Sequence, residues 1–175
     1  NVPMILSTGM ADLQEVLDAV EVIRAERWKF GYQDELSEFL TLLHCTSNYP
    51  AEAKDVNLRA MQTMASATGL PVGYSDHTSG TAVSVAAAAL GATVIEKHFT
   101  VNRDLPGPDH RASLEPDELA EMIAQIRIVE CALGSDRKTP AESELPRRSR
   151  CRRSVTLAKD VVKGHVLTSD DLVLL

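Results

Sequence analysis

The sequence predicts an α/β fold in which parallel strands alternate with helices. Four apolar, strand-like runs are each followed by a segment whose apolar residues recur at helical spacing. Repeated strand–helix units form parallel sheets with right-handed crossovers, either as an open doubly wound sheet or as a barrel. The chain has 175 residues, of which 44% are apolar and 25% charged, so it is long enough for one globular domain and a short extension.

The first two units are separated by an insertion. The strand Met4–Gly9 precedes a helix from about Ala11 to Arg24. Residues 27–37 mix aromatic residues, glycine and charges, which predicts a loop or a short helix extension. The apolar run Leu40–Thr46 is the second strand, and the second helix extends from about Val56 to Thr68.

The next two units follow without an insertion. Gly69 stops the second helix before the third strand, which ends in Ser-Asp-His at residues 75–77. The alanine-rich segment 81–90 predicts a helix that can lie close to a sheet. Residues 93–100 form the fourth strand, and a helix from Pro116 to Leu133 begins with proline, which suits a first turn.

The domain organisation follows from these units. Four units cannot close an eight-unit barrel, which takes about 250 residues, and the chain opens on a strand. We therefore expect residues 1–133 to be the C-terminal half of a barrel. The polar, proline-containing stretch 134–153 is predicted to be a linker, and residues 154–175 to be the start of another domain.

The charge balance argues against two classes of partner. A net charge of −7 leaves no general basic face for nucleic acid or an anionic membrane. The basic cluster 147–153 is interpreted as a linker or a docking surface. The three cysteines include no CxxC pair, and no signal peptide or membrane-spanning run is present, so we expect a cytoplasmic protein.

Two histidines carry the strongest chemical signal. His77 and His98 end successive strands, and Ser75 and Glu96 stand two residues before them. Strand side chains alternate between faces, so each pair shares a face, and neighbouring strands would bring all four groups together. Two neutral imidazoles can bind a divalent metal and leave positions for water and substrate. The alternative is a pair of hydrogen-bonded histidines in a polar barrel mouth.

Further polar groups lie at the same strand ends. Ser7, Ser47 and Ser75 stand where helix N-termini converge, which suits a phosphate, although each serine is equally typical of a helix cap. The proline-stiffened loop 105–110 can hold Asp109 over the barrel mouth, or it can be a rigid loop without a ligand.

Other candidates point away from the site or have structural roles. His44 lies on the opposite face and is predicted to pack beneath a helix, and Lys97 to pack or pair outside the barrel. Asp76 can accept a hydrogen bond from an imidazole, bind substrate hydroxyls or cap the next helix. His110 and His165 are expected to be solvated.

Five motifs together resemble one enzyme family. They are Ser-Thr-Gly-Met at 7–10, His-Cys-Thr-Ser-Asn-Tyr-Pro at 44–50, Gly-Tyr-Ser-Asp-His-Thr at 73–78, Glu-Lys-His-Phe-Thr at 96–100 and Pro-Gly-Pro-Asp-His at 106–110. In this order they resemble the N-acetylneuraminate (sialic acid) synthases and their legionaminate and pseudaminate relatives. The resemblance implies a TIM (β/α)8 barrel joined to an antifreeze-like domain, whose opening would be residues 154–175.

The resemblance also implies roles for individual residues. His77 and His98 match ligands of Mn²⁺ or Mg²⁺, and Glu96 groups with them as a catalytic residue. The positions that match substrate-binding residues are Ser7 and Ser75 for the phosphate of phosphoenolpyruvate, Ser47 where some members have asparagine, and Tyr49, Glu96 and Asp109 for an N-acylated sugar.

The implied reaction joins phosphoenolpyruvate to N-acetylmannosamine or a related amino sugar and releases phosphate. The resemblance also implies a homodimer for the complete protein. The acidic residue and lysines that the family places on earlier strands, and an arginine from the antifreeze-like domain, do not occur in this chain, so we expect it to be inactive alone. The alternatives are a metal-dependent TIM-barrel hydrolase with further ligands, and a catalytically empty half-barrel that serves as a binding or assembly module.

Overall fold

A four-stranded parallel sheet organises the larger of two structural units. The computed structural model describes residues 2–175 apart from the side chain of Ser149, and the chain divides into the units Asn1–Gly134 and Ser135–Leu175. The larger unit contains β1 Met4–Ser7, α1 Leu13–Lys29, β2 Leu40–Cys45, α2 Ala60–Thr68, β3 Val72–Asp76, α3 Ala82–Ala89, β4 Ile95–Lys97 and α4 Pro116–Leu133. The strand order is β1-β2-β3-β4, and every pair is parallel. The predicted α/β fold is thereby confirmed, as a parallel half-barrel consistent with part of a TIM barrel.

The hydrophobic core lies between the sheet and the helices. Alternate strand residues such as Leu40, Leu42 and Tyr74 are fully buried there, together with Val20 of α1 and Met61 of α2. Desolvation, followed by the charge of Asp76, raises the pKa of Tyr74 above its ordinary range, so its phenol is neutral. The other side chains of the strands point to the opposite face, called here the inner face.

Two helices differ from the sequence prediction. α1 continues to Lys29 instead of ending near Arg24. Its last turn is anchored because the Arg27 guanidinium lies 3.7 Å from the centre of the Phe39 ring, just before β2. α2 begins at Ala60 instead of about Val56, because Asn57 has a positive φ of 49° that an α-helix does not accommodate.

α4 and Gly69 follow the prediction. α4 spans Pro116–Leu133 with proline in its first turn, and Gly69 ends α2 in the left-handed conformation at φ 69°.

β4 is shorter than predicted, since it stops at Lys97. None of the helices described in residues 2–175 is long and apolar enough to cross a membrane.

Gly73 allows β3 to lie very close to the segment that leads into β4. A Cβ atom at this position would lie 2.4 Å from the carbonyl oxygen of Val94 and 2.6 Å from Cδ2 of Leu43. The amide of the next residue, Tyr74, donates to the same carbonyl at 2.8 Å. Only a residue without a side chain therefore fits between these strands.

The smaller unit is built around an antiparallel strand pair. It contains the helix α5 Leu145–Cys151, inside the predicted linker, and the strands β5 Val155–Leu157 and β6 Leu172–Leu174. The side chain of Asp171 is 2% exposed and accepts hydrogen bonds from Lys159 and His165. His165 is exposed, as predicted, and its ring also bonds the buried Asp171. The linker and the antifreeze-like identity of residues 154–175 stay predictions.

Candidate active site

Two histidines lie side by side directly after β3 and β4. The ring centroids of His77 and His98 are 5.4 Å apart, and the ring planes are inclined by 74°. Both side chains are partly buried. The structure brings the two histidines together because β3 and β4 are hydrogen-bonded neighbours. Their role as metal ligands stays a prediction.

A backbone carbonyl sets the tautomer of His77. Its Nδ1 lies 2.8 Å from the carbonyl oxygen of Thr46, in the loop after β2. A carbonyl can only accept, so Nδ1 carries the proton and donates it. In the neutral ring the free lone pair is then on Nε2, and a ring N–H held by a carbonyl is typical of metal-binding histidines. The ring nitrogen of His77 that is available to a ligand is therefore Nε2.

Ser75 and Glu96 meet across the same strand pair. They are register partners, and the Ser75 hydroxyl donates to Oε1 of Glu96 at 2.6 Å. Ser75 is 2% exposed, whereas Glu96 is exposed. By strand alternation both side chains lie on the inner face, the face toward which His77 and His98 are also directed. The four groups named by the sequence therefore belong to one surface.

Tyr49 packs directly against the two histidines. Its ring centroid lies 4.3 Å from that of His77 and 5.6 Å from that of His98. The loop that carries Tyr49 is held in place by a hydrogen bond from the amide of Ala51 to the His77 carbonyl, at 2.8 Å. The tyrosine ring is 57% exposed, so one of its sides remains available to a ligand.

A cavity of about 270 Å³ opens beside the histidines. Its lining residues are Tyr49, Pro50, Asp76, His77, Ser79, His98, Pro108, Asp109, Arg111 and Ala112. Asp109 therefore lies at the same cavity as both histidines, where the sequence predicts it. The sequence analysis did not predict Ser79 or Arg111 at this cavity. Arg111 could have been found, because it is a basic residue two positions after Asp109 in the same loop.

The loop between β4 and α4 holds Asp109 in position. The amide of Thr100 donates to the Leu114 carbonyl at 2.9 Å, and the Thr100 hydroxyl lies 2.8 Å from Nδ1 of His110. Arg103 donates through Nε to the Ser113 carbonyl at 2.9 Å. His110, predicted to be solvated, is partly exposed, and its ring also takes part in this internal bracing.

None of the three predicted phosphate-binding serines lines this cavity, and neither does Glu96, to which Ser75 donates. Ser7 is the exposed last residue of β1, two strands from β3. Ser47 is partly buried in the loop after β2, and its Oγ lies 3.7 Å from the position that a Cβ would take on Gly9. The structure therefore brings Ser47 close to the β1 end of the sheet, but it does not join Ser7 or Ser47 to the histidine cavity.

The opposite face carries the remaining candidates. Nε2 of His44 lies 2.7 Å from the carbonyl oxygen of Val56, away from the cavity, which agrees with its predicted structural role. Lys97 pairs with Asp76, so it does pair on the outer face as predicted. Asp76 also accepts from the backbone amide and the hydroxyl of Thr78. In the described contacts it bonds neither imidazole.

The histidine pair fits a divalent metal. Within residues 2–175, no group of three or more histidine, cysteine, aspartate or glutamate side chains is arranged to hold an ion. Two imidazoles leave several coordination positions for water or substrate oxygens. The tautomer of His77 supports this fit. With the proton on Nδ1, the lone pair is on Nε2, and none of the described hydrogen bonds uses it.

The chain is similar to synthases of sialic acid type. It is 53% identical over 173 residues to the N,N'-diacetyllegionaminic acid synthase of Legionella pneumophila, covering 99% of this chain and 47% of that protein. It is 37% identical over 171 residues to the human N-acetylneuraminate-9-phosphate synthase, covering 97% of this chain and 45% of that protein. The chain thus spans about half the length of these curated relatives.

A solved structure shows the same fold. The N-acetylneuraminic acid (sialic acid) synthetase of Leptospira borgpetersenii, in complex with citrate, superposes with a TM-score of 0.71 at 36% identity, over 85% of this chain and 48% of that chain. Residues 1–138 match the NeuB family, which confirms the resemblance drawn from the five motifs. The chain belongs to the NeuB family.

Proposed function

We propose that the protein containing this chain is a nonulosonic acid synthase that condenses phosphoenolpyruvate with an N-acyl amino sugar. A carbon–carbon bond forms between C3 of phosphoenolpyruvate and the aldehyde carbon of the open-chain sugar, whose oxygen takes up a proton. Water adds to C2, and the C2–O bond to phosphate breaks. The observation that carries this proposal is the histidine pair with its fixed tautomer in a chain of the NeuB family.

A metal ion would have a defined place in this site. Nε2 of His77 and the imidazole of His98 would hold Mn²⁺ or Mg²⁺, and such an ion supplies Lewis-acid polarisation of an aldehyde oxygen. The ring of Tyr49 lies against both imidazoles and shields one side of them from water. The protein's own part is therefore to fix two nitrogen ligands and to shape the adjoining cavity.

The inner-face groups would orient the two substrates. Ser75 now donates its hydroxyl proton to Glu96, so it can donate to the phosphate only after this bond is exchanged. Glu96 would then be free to accept a hydrogen bond from the sugar. Asp109 would bind sugar hydroxyls from the braced loop. Ser7 and Ser47 would donate to phosphate from the β1 side of the sheet, and fixed donors of this kind stabilise charge that develops during the reaction.

The test is phosphate release from phosphoenolpyruvate by the full-length protein. The acceptors are N-acetylmannosamine and related mono- and di-N-acetylated amino sugars, each with Mn²⁺ and with chelator. His77→Ala removes one proposed ligand. His44→Ala is the matched control, because His44 lies on the helix side of the sheet and bonds a backbone carbonyl there.

We expect metal-dependent phosphate release that is lost in His77→Ala and kept in His44→Ala. The preferred acceptor would identify the product. Absence of release with every sugar, or release that survives both chelation and His77→Ala, would contradict the proposal.

For the complete protein we also propose a homodimer in the cytoplasm, without nucleic-acid or membrane partners. We further propose that residues 154–175 begin an antifreeze-like domain. Light scattering on the full-length protein tests the first of these proposals, since it gives the mass of a dimer or of a monomer directly.

A further inference from the structure

A buried ion pair joins the residues that immediately precede the two histidines. Asp76, before His77, and Lys97, before His98, are register partners on β3 and β4. Nζ of Lys97 lies 2.9 Å from Oδ2 of Asp76, and the side chains are 3% and 0% exposed. The ion pair forms on the helix side of the sheet, and Asp76 also contributes to the lining of the histidine cavity.

Both charged groups make further hydrogen bonds. Oδ1 of Asp76 accepts from the amide and the hydroxyl of Thr78 at 2.8 and 2.7 Å, and Oδ2 also accepts from the hydroxyl of Ser84 at 2.5 Å. Lys97 donates a second bond to the Thr78 carbonyl at 2.6 Å. The network therefore ties the end of β4 to the end of β3 and to α3.

The position of the pair suggests more than a stabilising role. The register between β3 and β4 ends at Asp76 and Lys97, so this ion pair is the last described link between the strands before each chain segment reaches its histidine. A buried ion pair is often no more stabilising than apolar side chains of similar volume. Its place next to both histidines needs a different explanation.

We propose that Asp76 and Lys97 are positioning residues that fix the separation of His77 and His98, and thereby the affinity of the site for a divalent cation. The inference rests on the proposed function, because it takes the two histidines as metal ligands. Groups hydrogen-bonded directly to metal ligands typically change metal affinity by about 10-fold to 100-fold when they are lost. Asp76 and Lys97 act on the histidines through the adjoining backbone, so we expect an effect at the lower end of this range.

The test measures Mn²⁺ binding to the full-length protein by electron paramagnetic resonance of the free ion, without substrates. The main variant is Asp76→Asn combined with Lys97→Gln, which removes both charges and leaves none uncompensated. Met64→Ala is the control. Met64 lies on α2 and is buried in the hydrophobic core away from the site, so its truncation should lower stability without changing metal affinity. Circular dichroism establishes that each variant is folded at the temperature used.

We expect the double variant to bind Mn²⁺ at least 10-fold more weakly than the wild type, and Met64→Ala to bind within twofold of it. Equal affinity of the double variant and the wild type would overturn the inference while leaving the histidine site intact. If the wild type and His77→Ala do not differ, the metal site itself fails, and the inference fails with it.

A milder variant decides the question if the double variant does not fold. Ser84→Ala keeps both charges and removes one of the hydrogen bonds that hold Oδ2 of Asp76. We expect Mn²⁺ binding about threefold weaker or more in this variant, and unchanged affinity would overturn the inference.

Discussion

Replacing Gly73 by alanine should force the two histidine-bearing strands apart. A Cβ at this position would lie 2.4 Å from the carbonyl oxygen of Val94, whereas real Cβ contacts stay above 3.0 Å. The backbone must therefore move by at least the difference, 3.0 − 2.4 = 0.6 Å. No flexible side chain can absorb this movement, because the nearest atom belongs to the backbone.

The energetic cost of Gly73→Ala can be bounded. Inserting a methyl group into a packed interior destabilises a protein by about 1–3 kcal/mol. Replacing glycine also reduces the conformational entropy of the unfolded chain, which stabilises the folded state by about 0.4–1 kcal/mol. We expect a net loss of about 1 kcal/mol in the free energy of unfolding. Because Val94 leads into the strand that carries His98, we also expect phosphate release to fall by about tenfold or more.

The assay combines urea unfolding with phosphate release. Gly31→Ala is the matched control, since it also adds one methyl group, but with nothing within 4 Å and a φ of +80°. An alanine at position 31 must keep this left-handed backbone conformation, which lowers stability by about 1–2 kcal/mol. The substitution lies far from the histidines, so it should not affect the site directly. A Gly73→Ala variant that is as stable as the wild type, or one that loses activity only as much as Gly31→Ala, would refute the close approach of these strands as the reason for the glycine.

Two further predictions concern the loop and the smaller unit. Arg103→Ala removes the ion pair with Glu118 that braces the loop carrying Asp109, so we expect the KM for the sugar to rise several-fold with little change in Mn²⁺ affinity; an unchanged KM would contradict the bracing role. Hydrogen bonds, first from Lys159, hold the pKa of Asp171 below its usual range, so the stability they contribute is complete above about pH 4 and is lost as the pH falls below it. We therefore expect Asp171→Asn to lower the amide protection of the smaller unit at pH 7, measured by hydrogen exchange. The wild type should lose protection at acid pH, and the variant should not. Equal acid sensitivity of the variant and the wild type would contradict this.

Strand alternation alone predicts much of the site. The period of two along each strand places Ser75 and Glu96 on one face, where they bond each other. The same period places Lys97 on the opposite face, where it pairs with Asp76. Local signals also suffice for α4, where Pro116 lies in the first turn and Gly134 follows the last helical residue. These features depend on neighbours in sequence or on adjacent strands, which a single sequence reveals.

Other features depend on contacts that the sequence does not reveal. The bond from His77 goes to a backbone carbonyl, that of Thr46, which has no side-chain signal. His110 is braced by Thr100 because the loop folds back on itself. The extra turns of α1 are fixed by Arg27 on the Phe39 ring, a tertiary contact that overrides the local pattern.

A crystal structure of the full-length protein with Mn²⁺, with the ion located by its anomalous signal, tests the histidine site most directly. The arrangement predicts one ion bonded to Nε2 of His77 and to the imidazole of His98, with Nδ1 of His77 still donating to the Thr46 carbonyl. An ion bound through Nδ1 of His77, or an ion elsewhere with both imidazoles uncoordinated, would contradict it.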